Sequence, residues 1–366
     1  MAVNTRAPRI ERTGRSGPTI HDVARVAEVS ISTASKALNR KGSLRPETRD
    51  RVLAVVKAIG YRPNELAQSL HSARSKTVGL ITNDSFGRFS FPIFEALEET
   101  LADQGIAVFM CNATDDPVRE RQHLDQLMRK RIDGLVVTAR RADKRPALSA
   151  LVPGVPVVYV YSQADDPNTS CLVPDDEGGA RLAVTHLVGQ GRHRIAHISG
   201  PKRFEAVRLR QAGYRAALRA AGIAYDPSLH VNGEWSESWG RSAVAGLFDR
   251  AGAKPDALFC DNDQLARGAS DALRERGIAV PKDVAIVGFD NWEVMALGAR
   301  PPLSSVDMNL HALGREAGAA LLAIMAGEPV TGIRRLPCSL IVRESSACEP
   351  RAVNLQAKPK QRVGSP

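Results

Sequence analysis

The sequence predicts an N-terminal all-α headpiece of helix-turn-helix type followed by a larger α/β core built on parallel sheets. Three observations lead there. The chain has 366 residues, 43% of them apolar, which is enough material for more than one core. The formal net charge is +10, yet residues 1–76 alone carry 15 Lys and Arg against 6 Asp and Glu, so nearly all of the excess lies in the first fifth of the chain. Beyond Thr77, short apolar runs alternate with helical stretches.

Residues 1–18 are basic, contain Pro and Gly and lack an apolar segment of signal-peptide type; with residues 349–366 they read as disordered tails. The headpiece is assigned to residues 19–62. Thr19-Ile20-His21-Asp22 has the pattern of a capping box, and Val23, Ala24 and Ala27 follow at helical spacing. Ser30 is placed to cap a second helix, Ile31 to Asn39, so the two helices must cross sharply, with Ala24, Val29, Ala34 and Leu38 packed between them. A third helix is expected from Pro46 to Ile59, with Val52, Val55, Val56 and Ile59 as its apolar stripe and Gly60 as its stop.

The run Asp22-Val23-Ala24, Ala27, Val29-Ser30, Thr33, Ser35-Lys36, Leu38-Asn39, Thr48-Arg49, Val52, Gly60-Tyr61, Pro63-Asn64 and Ala67 to Leu70 resembles, in order and spacing, the signature of the lactose/galactose repressor family. Glu28 departs from it, standing where that family usually has Gly. The resemblance implies a second helix in the DNA major groove, with Ile31, Ser32 and Lys36 at base edges. Lysine donates to guanine O6 and N7, Ser donates or accepts, and Ile meets a thymine methyl. Thr33 and Ser35 are expected to face phosphates or cap the helix, Thr48 and Arg49 to meet phosphates, and Thr19, Ser30 and Asn39 complete the DNA-facing set at the helix ends.

Residues 63–75 read as hinge and linker, and Pro63 to Leu70 is too short to be a stable helix alone. In the family, two such segments pair in the minor groove at the operator centre; here Asn64, Ala67 and Leu70 would take those places, Ala67 permitting close approach and Leu70 acting as an apolar wedge.

In the core, residues 76–348, strands are expected at Thr77–Thr82, Ala107–Cys111, Asp133–Val137, Pro156–Tyr161, Ile195–Ser199, Ala257–Cys260 and Val284–Phe289. Their order resembles the periplasmic sugar-binding fold, two doubly wound parallel-sheet subdomains around a cleft. The resemblance sets an N-subdomain of residues 76–173 and 310–336 and a C-subdomain of 174–309 and 337–346. Ligand contacts are expected just after strands. Arg208 matches the family position whose guanidinium holds ligand hydroxyls. Asn262, Asp263 and Asp290 are acceptors, Trp235 a stacking surface, and Phe91 the contact from the loop 85–91. Tyr161-Ser162 replaces the family's usual Asp-Arg, and Met308 stands where Gln is common.

No G-x-G-x-x-G after a strand, G-x-x-x-x-G-K-[ST], G-x-S-x-G or H-E-x-x-H is present, and the five cysteines form no C-x-x-C pair, so neither catalysis, a cofactor nor a metal is expected. The expected partners are pseudo-palindromic double-stranded operator DNA, a small effector of sugar or sugar-derivative type and a second copy of the chain, with no membrane. The thiols fit a reducing cytoplasm. A corepressor or a protein partner in place of a sugar inducer is the alternative; an enzyme or transport binding protein on the same core is a more distant one.

Overall fold

A computed structural model of the chain describes residues 17–39, 42–61 and 74–347. The chain divides into two compact units, residues 1–75 and 76–366.

In the first unit, helices α1 (Ile20–Val26), α2 (Ile31–Leu38) and α3 (Pro46–Ile59) enclose one small core. The capping box at Thr19 forms: Asp22 N donates to Thr19 Oγ1 at 3.4 Å and Thr19 N to Asp22 Oδ2 at 3.0 Å. The Thr19 amide, joined by Arg25, holds the Asp22 carboxyl down at about 2. Ser30 Oγ accepts from Thr33 N at 3.1 Å and starts α2. Glu28, in the turn between α1 and α2, adopts φ 52°, the left-handed geometry for which Gly is the usual solution. Val23, Ala24, Ala27, Ala34, Ala37 and Val52 form the core. Leu38, expected inside, is only half-buried and lies outside this cluster, because Ala37, one turn on from Ala34, takes the inward position. Pro46 opens α3 at its first position, and Gly60 closes it at φ 67°.

The second unit holds two six-stranded sheets, one per lobe. In lobe 1, β1 (Thr77–Thr82), β2 (Ala107–Asn112), β3 (Gly134–Thr138), β5 (Val157–Val160), β7 (Ser170–Pro174) and β13 (Gly332–Leu336) run parallel in the order β13-β7-β5-β3-β1-β2. A two-stranded ribbon, β4 (Lys144–Arg145) with β6 (Gln163–Ala164), lies beside it in sequence. Lobe 2 is ordered β14-β12-β11-β10-β8-β9, from β8 (Ile195–Ser199), β9 (His230–Asn232), β10 (Ala257–Cys260), β11 (Ala285–Phe289), β12 (Ser304–Asp307) and β14 (Ser339–Ile341); only β14 is antiparallel. Strands β3, β5, β7, β8, β10 and β11 are buried at every position, the mark of sheets covered on both faces.

Helices α4 (Ser90–Ala102), α5 (Pro117–Arg129) and α11 (Leu310–Met325) serve lobe 1. Helices α6 (Asp176–Gly189), α7 (Glu205–Ala220), α8 (Glu237–Phe248), α9 (Asp263–Glu275) and the short α10 (Glu293–Ala296) serve lobe 2. The chain crosses between lobes three times, after β7, after β12 and after β13, and the crossings are bonded to one another. Asp175 N donates to Leu336 O at 2.8 Å, Asn309 Nδ2 to Pro337 O at 2.7 Å, and Cys338 Sγ to Asp175 O at 3.4 Å.

Helix α7 reaches its place because Gly213 lies against the backbone of α6, where an added Cβ would stand 2.1 Å from Glu177 O. Backbone cannot yield as a side-chain tip can. Gly213→Ala is therefore expected to destabilise the core by about 2 kcal/mol, the cost of overpacking, seen as a lower urea midpoint at unchanged slope.

Candidate functional site

The first unit presents one polar face on α2. Ile31 is 45% exposed, Ser32 and Lys36 are exposed, and the side chains of Thr33 and Ser35 are half-buried beside them. An exposed Ile between hydroxyls on a buried-Ala helix serves no internal packing. Thr33 Oγ1 lies 2.9 Å from Ser30 Oγ, and Asn39 Nδ2 donates to Ser35 Oγ at 3.3 Å, so Ser30 and Asn39 bracket the helix. Thr48 and Arg49 sit half-buried in the first turn of α3, the Arg49 Nε without a partner among the described residues. Asn64, Ala67 and Leu70 lie outside the described residues.

In the second unit the carboxyl ends of the lobe 2 strands converge on one guanidinium. Arg210, on α7, is buried; its Nε donates to Asp176 Oδ1 at 2.7 Å, it also donates to the carbonyl of Asp261, and its Nη2 lies 3.8 Å from Asp290 Oδ1. Its Cζ stacks 3.7 Å from the Phe289 ring centroid, and Met308 Sδ lies 4.0 Å from Nη2. Burial opposes this charge, but Asp176, Asp290 and Asp261 together raise the Arg210 pKa above its ordinary value. Asp261 is held by His197 Nε2 at 2.7 Å and by Ser199 Oγ. Burial would raise its pKa, yet His197, Arg210 and these hydrogen bonds leave it lowered.

Asp290, at φ 98° just after β11, also faces lobe 1. Arg88, from the loop after β1, pairs with Asp290 across the cleft and reaches Gln264 Oε1 at 3.4 Å. Its guanidinium is sandwiched between Phe89, 4.8 Å away, and Trp292, 4.5 Å away. Tyr161, with φ 51°, stacks on Phe89 at 4.7 Å. At the lobe 1 strand ends, the hydroxyls of Thr138 and Ser162 are buried with no hydrogen-bond partner among the described residues.

The expected cleft residues are only partly brought together. Asp290 is at the centre. Arg208 is exposed and lies outside the buried centre; the buried arginine is Arg210, two residues on, because Val207, Arg210, Tyr214 and Ala217 share the inward face of α7. Phe91 is 59% exposed and packs against Gly87, while its neighbours Arg88 and Phe89 enter the cleft. Asn262 caps α9, its Oδ1 accepting from Leu265 N at 2.8 Å. Asp263 is fully buried with both oxygens occupied, by Ser305 Oγ at 2.6 Å and Trp292 N at 2.7 Å. Trp235 packs against Gly200, its ring near-parallel to that of Phe204 with centroids 6.4 Å apart. Arg88, Asp176 and Asp261 were not anticipated. Arg210 was within reach, since the helical period alone separates it from Arg208.

Comparison with known proteins agrees with this architecture. Residues 19–64 match the family described as bacterial regulatory proteins, lacI family, and residues 184–346 the periplasmic binding protein-like domain. The HTH-type transcriptional repressor PurR of Haemophilus influenzae (strain PittEE) is 33% identical over 306 residues, covering 83% of this chain and 90% of that protein. The chain belongs to the lacI family of bacterial regulatory proteins. As a lacI-family member it is a DNA-binding transcriptional regulator. The repressor CytR of Escherichia coli (strain K12) is 31% identical over 333 residues, 91% of this chain and 97% of that one. Among solved structures, the Lac repressor dimer bound to operator and the anti-inducer ONPF superposes with TM-score 0.74 at 28% identity, covering 91% of this chain and all of that one. The complex of the regulator CelR with cellobiose gives TM-score 0.63 at 31% identity, covering 90% and 99%. Among the described residues no helix is long and apolar enough to cross a membrane.

The buried Asp263 carries a pH signature. Burial, with Asp290 adding to it, raises its pKa from 3.8 to about 7. The folded state therefore holds this proton more tightly than the unfolded chain, so its contribution to stability is complete below pH 3.8 and is lost as pH rises through about 7. Asp263→Asn removes the titrating proton and retains an acceptor for Trp292 N, while the contact with Ser305 Oγ reverses, Nδ2 becoming its donor. Urea unfolding at a series of pH values should show the variant gaining on the wild type across that window; a constant difference would contradict the assignment.

Proposed function

We propose that this chain is a cytoplasmic homodimeric repressor that reads a pseudo-palindromic operator through Ile31, Ser32 and Lys36 and releases it when a sugar or sugar derivative enters the core cleft. It needs no cofactor and catalyses no reaction. The observation that carries the effector half is the grouping of Asp290, Arg210 and the unpartnered hydroxyls of Thr138 and Ser162 at the strand ends of both lobes. Carboxylate and guanidinium match paired hydroxyls as acceptor and donor, and Phe89, Tyr161 and Trp292 offer apolar faces. The CelR–cellobiose complex supports a sugar as ligand class. The Lac repressor dimer on its operator supports a two-fold assembly, since one short recognition helix covers few base pairs.

A ligand shifts the core only by its differential affinity for two lobe arrangements. Asp290 joins the lobes through Arg88, so ligand hydroxyls that claim Asp290 change the link between lobes.

Lys36→Ala should cost operator binding about 1 to 3 kcal/mol and relax preference at one symmetric pair of base positions, with little change on random DNA. Fluorescence anisotropy on both duplexes decides it; equal losses would reduce Lys36 to a phosphate contact. For the effector, a sugar panel read by thermal unfolding should single out a ligand, which at 100 times its dissociation constant stabilises by about 2.7 kcal/mol. Asp290→Asn should then still bind operator but no longer release it on ligand addition. Release at wild-type ligand concentration would remove the cleft assignment, and tighter operator binding by the liganded wild type would reverse the sign.

A further inference from the structure

The mouth of the cleft carries more positive than negative charge. A groove of about 570 Å³ is lined by Asp143 and Lys144 from lobe 1 and by Arg203, Phe204, Glu205 and Arg208 from lobe 2. The guanidinium of Arg141 stacks on the Phe204 ring at 4.7 Å and that of Arg203 at 4.5 Å, so one ring orients two cations. Among the described residues Lys144, Arg203 and Arg208 have no carboxylate within ion-pair distance. Two carboxylates are present. Asp143 is taken up by Glu205 N, at 2.8 Å, and lies 3.7 Å from Arg141 Nε; Glu205 is the other. Four cations thus face two anions. Burial first, then the like charge of Arg140, pushes the Arg141 pKa down, against the pull of Asp115 and Asp143.

The position matters as much as the charge. The lobe 1 segment follows the end of β3 and the lobe 2 segment follows the end of β8, the same strand edge from which Asp261 and Asp290 project. The first turn of α7 opens onto the groove at Phe204 and Glu205, adding the positive end of a 16-residue helix.

We propose that this groove binds a phosphate monoester, so that the effector is a phosphorylated sugar or polyol whose hydroxyls reach inward and whose phosphate is held by Arg203, Arg208 and Lys144. This rests on the effector reading given above. A neutral sugar leaves the cations uncompensated, whereas a phosphate monoester brings about 1.5 to 2 negative charges at pH 7 and three acceptor oxygens, matching the excess and the forked guanidinium donors.

The test titrates the full-length protein with inorganic phosphate at fixed ionic strength and follows tryptophan fluorescence. All three tryptophans, Trp235, Trp239 and Trp292, belong to lobe 2, and Trp235 lies 6.4 Å from Phe204, so the signal reports on lobe 2. A saturable change is expected, weakened about tenfold by Arg203→Gln and by Arg208→Gln, the loss of one charge-assisted hydrogen bond, and unaltered by Arg121→Gln on the outer face of α5. A change that does not saturate, that chloride reproduces, or that survives both groove substitutions overturns the proposal. If phosphate fails to bind while a neutral sugar releases operator, the phosphate site falls and the effector reading stands. Phosphate binding with no small molecule altering operator affinity does the reverse.

Discussion

The core depends on one buried cation. Arg210 ties the start of α6 through Asp176, the end of β10 through the Asp261 carbonyl and the end of β11 through Asp290, with Phe289 beneath its plane. A guanidinium out of water costs several kcal/mol unless each donor is met, so these elements cannot separate without exposing an unpaired charge. Such a network adds little net stability compared with an apolar core of the same shape; what it fixes is geometry. Two carboxylates are thereby held at the edge of a sheet, and one of them, Asp290, is shared with Arg88 of the opposite lobe. Chain packing and lobe closure thus meet at a single side chain.

The two units solve the packing problem differently. The headpiece closes on alanines at positions 27, 34 and 37, which let short helices approach closely, and on hydrogen-bonded caps at Thr19 and Ser30. With so small an apolar core, local devices carry much of its order, and Glu28 in a left-handed turn is a local cost it bears. The lobes rely on sheets buried on both faces and on glycine at helix crossings, Gly213 and Gly268 among them.

The fold class was legible because its signals are local. Capping box, Pro46, Gly60 and the alternation of apolar runs with helical stretches each report on a few neighbouring residues, and their elements formed within a residue or two of the expected bounds. Strands β7, β9, β12, β13 and β14 were not anticipated: Ser170–Pro174 holds only a three-residue apolar run between Ser and Pro, His230–Asn232 and Ser339–Ile341 span three residues each, Ser304–Asp307 is mostly polar and Gly332–Leu336 is mostly exposed, so none reads as a long apolar run. They are strands because their neighbours make them so. In the cleft, Asp290 was legible from its place after a strand. The same rule misplaced Asn262 and Asp263, since in Asp261-Asn262-Asp263 successive side chains point in different directions and only the packing of α9 decides which oxygen is spent on a cap, on Ser305 or on His197. Arg88 was hidden because its partner is 202 residues away.

The three hydrogen-bonded crossings between lobes have a mechanical consequence. Three short spans side by side, laced through Asp175, Leu336, Asn309 and Pro337, resist sliding of one lobe past the other, because sliding would break these bonds. What remains is rotation about a line through the crossings, as a door turns on a row of pins. A change at the crossings, away from the cleft, would then alter the angle between the lobes without touching a cleft residue.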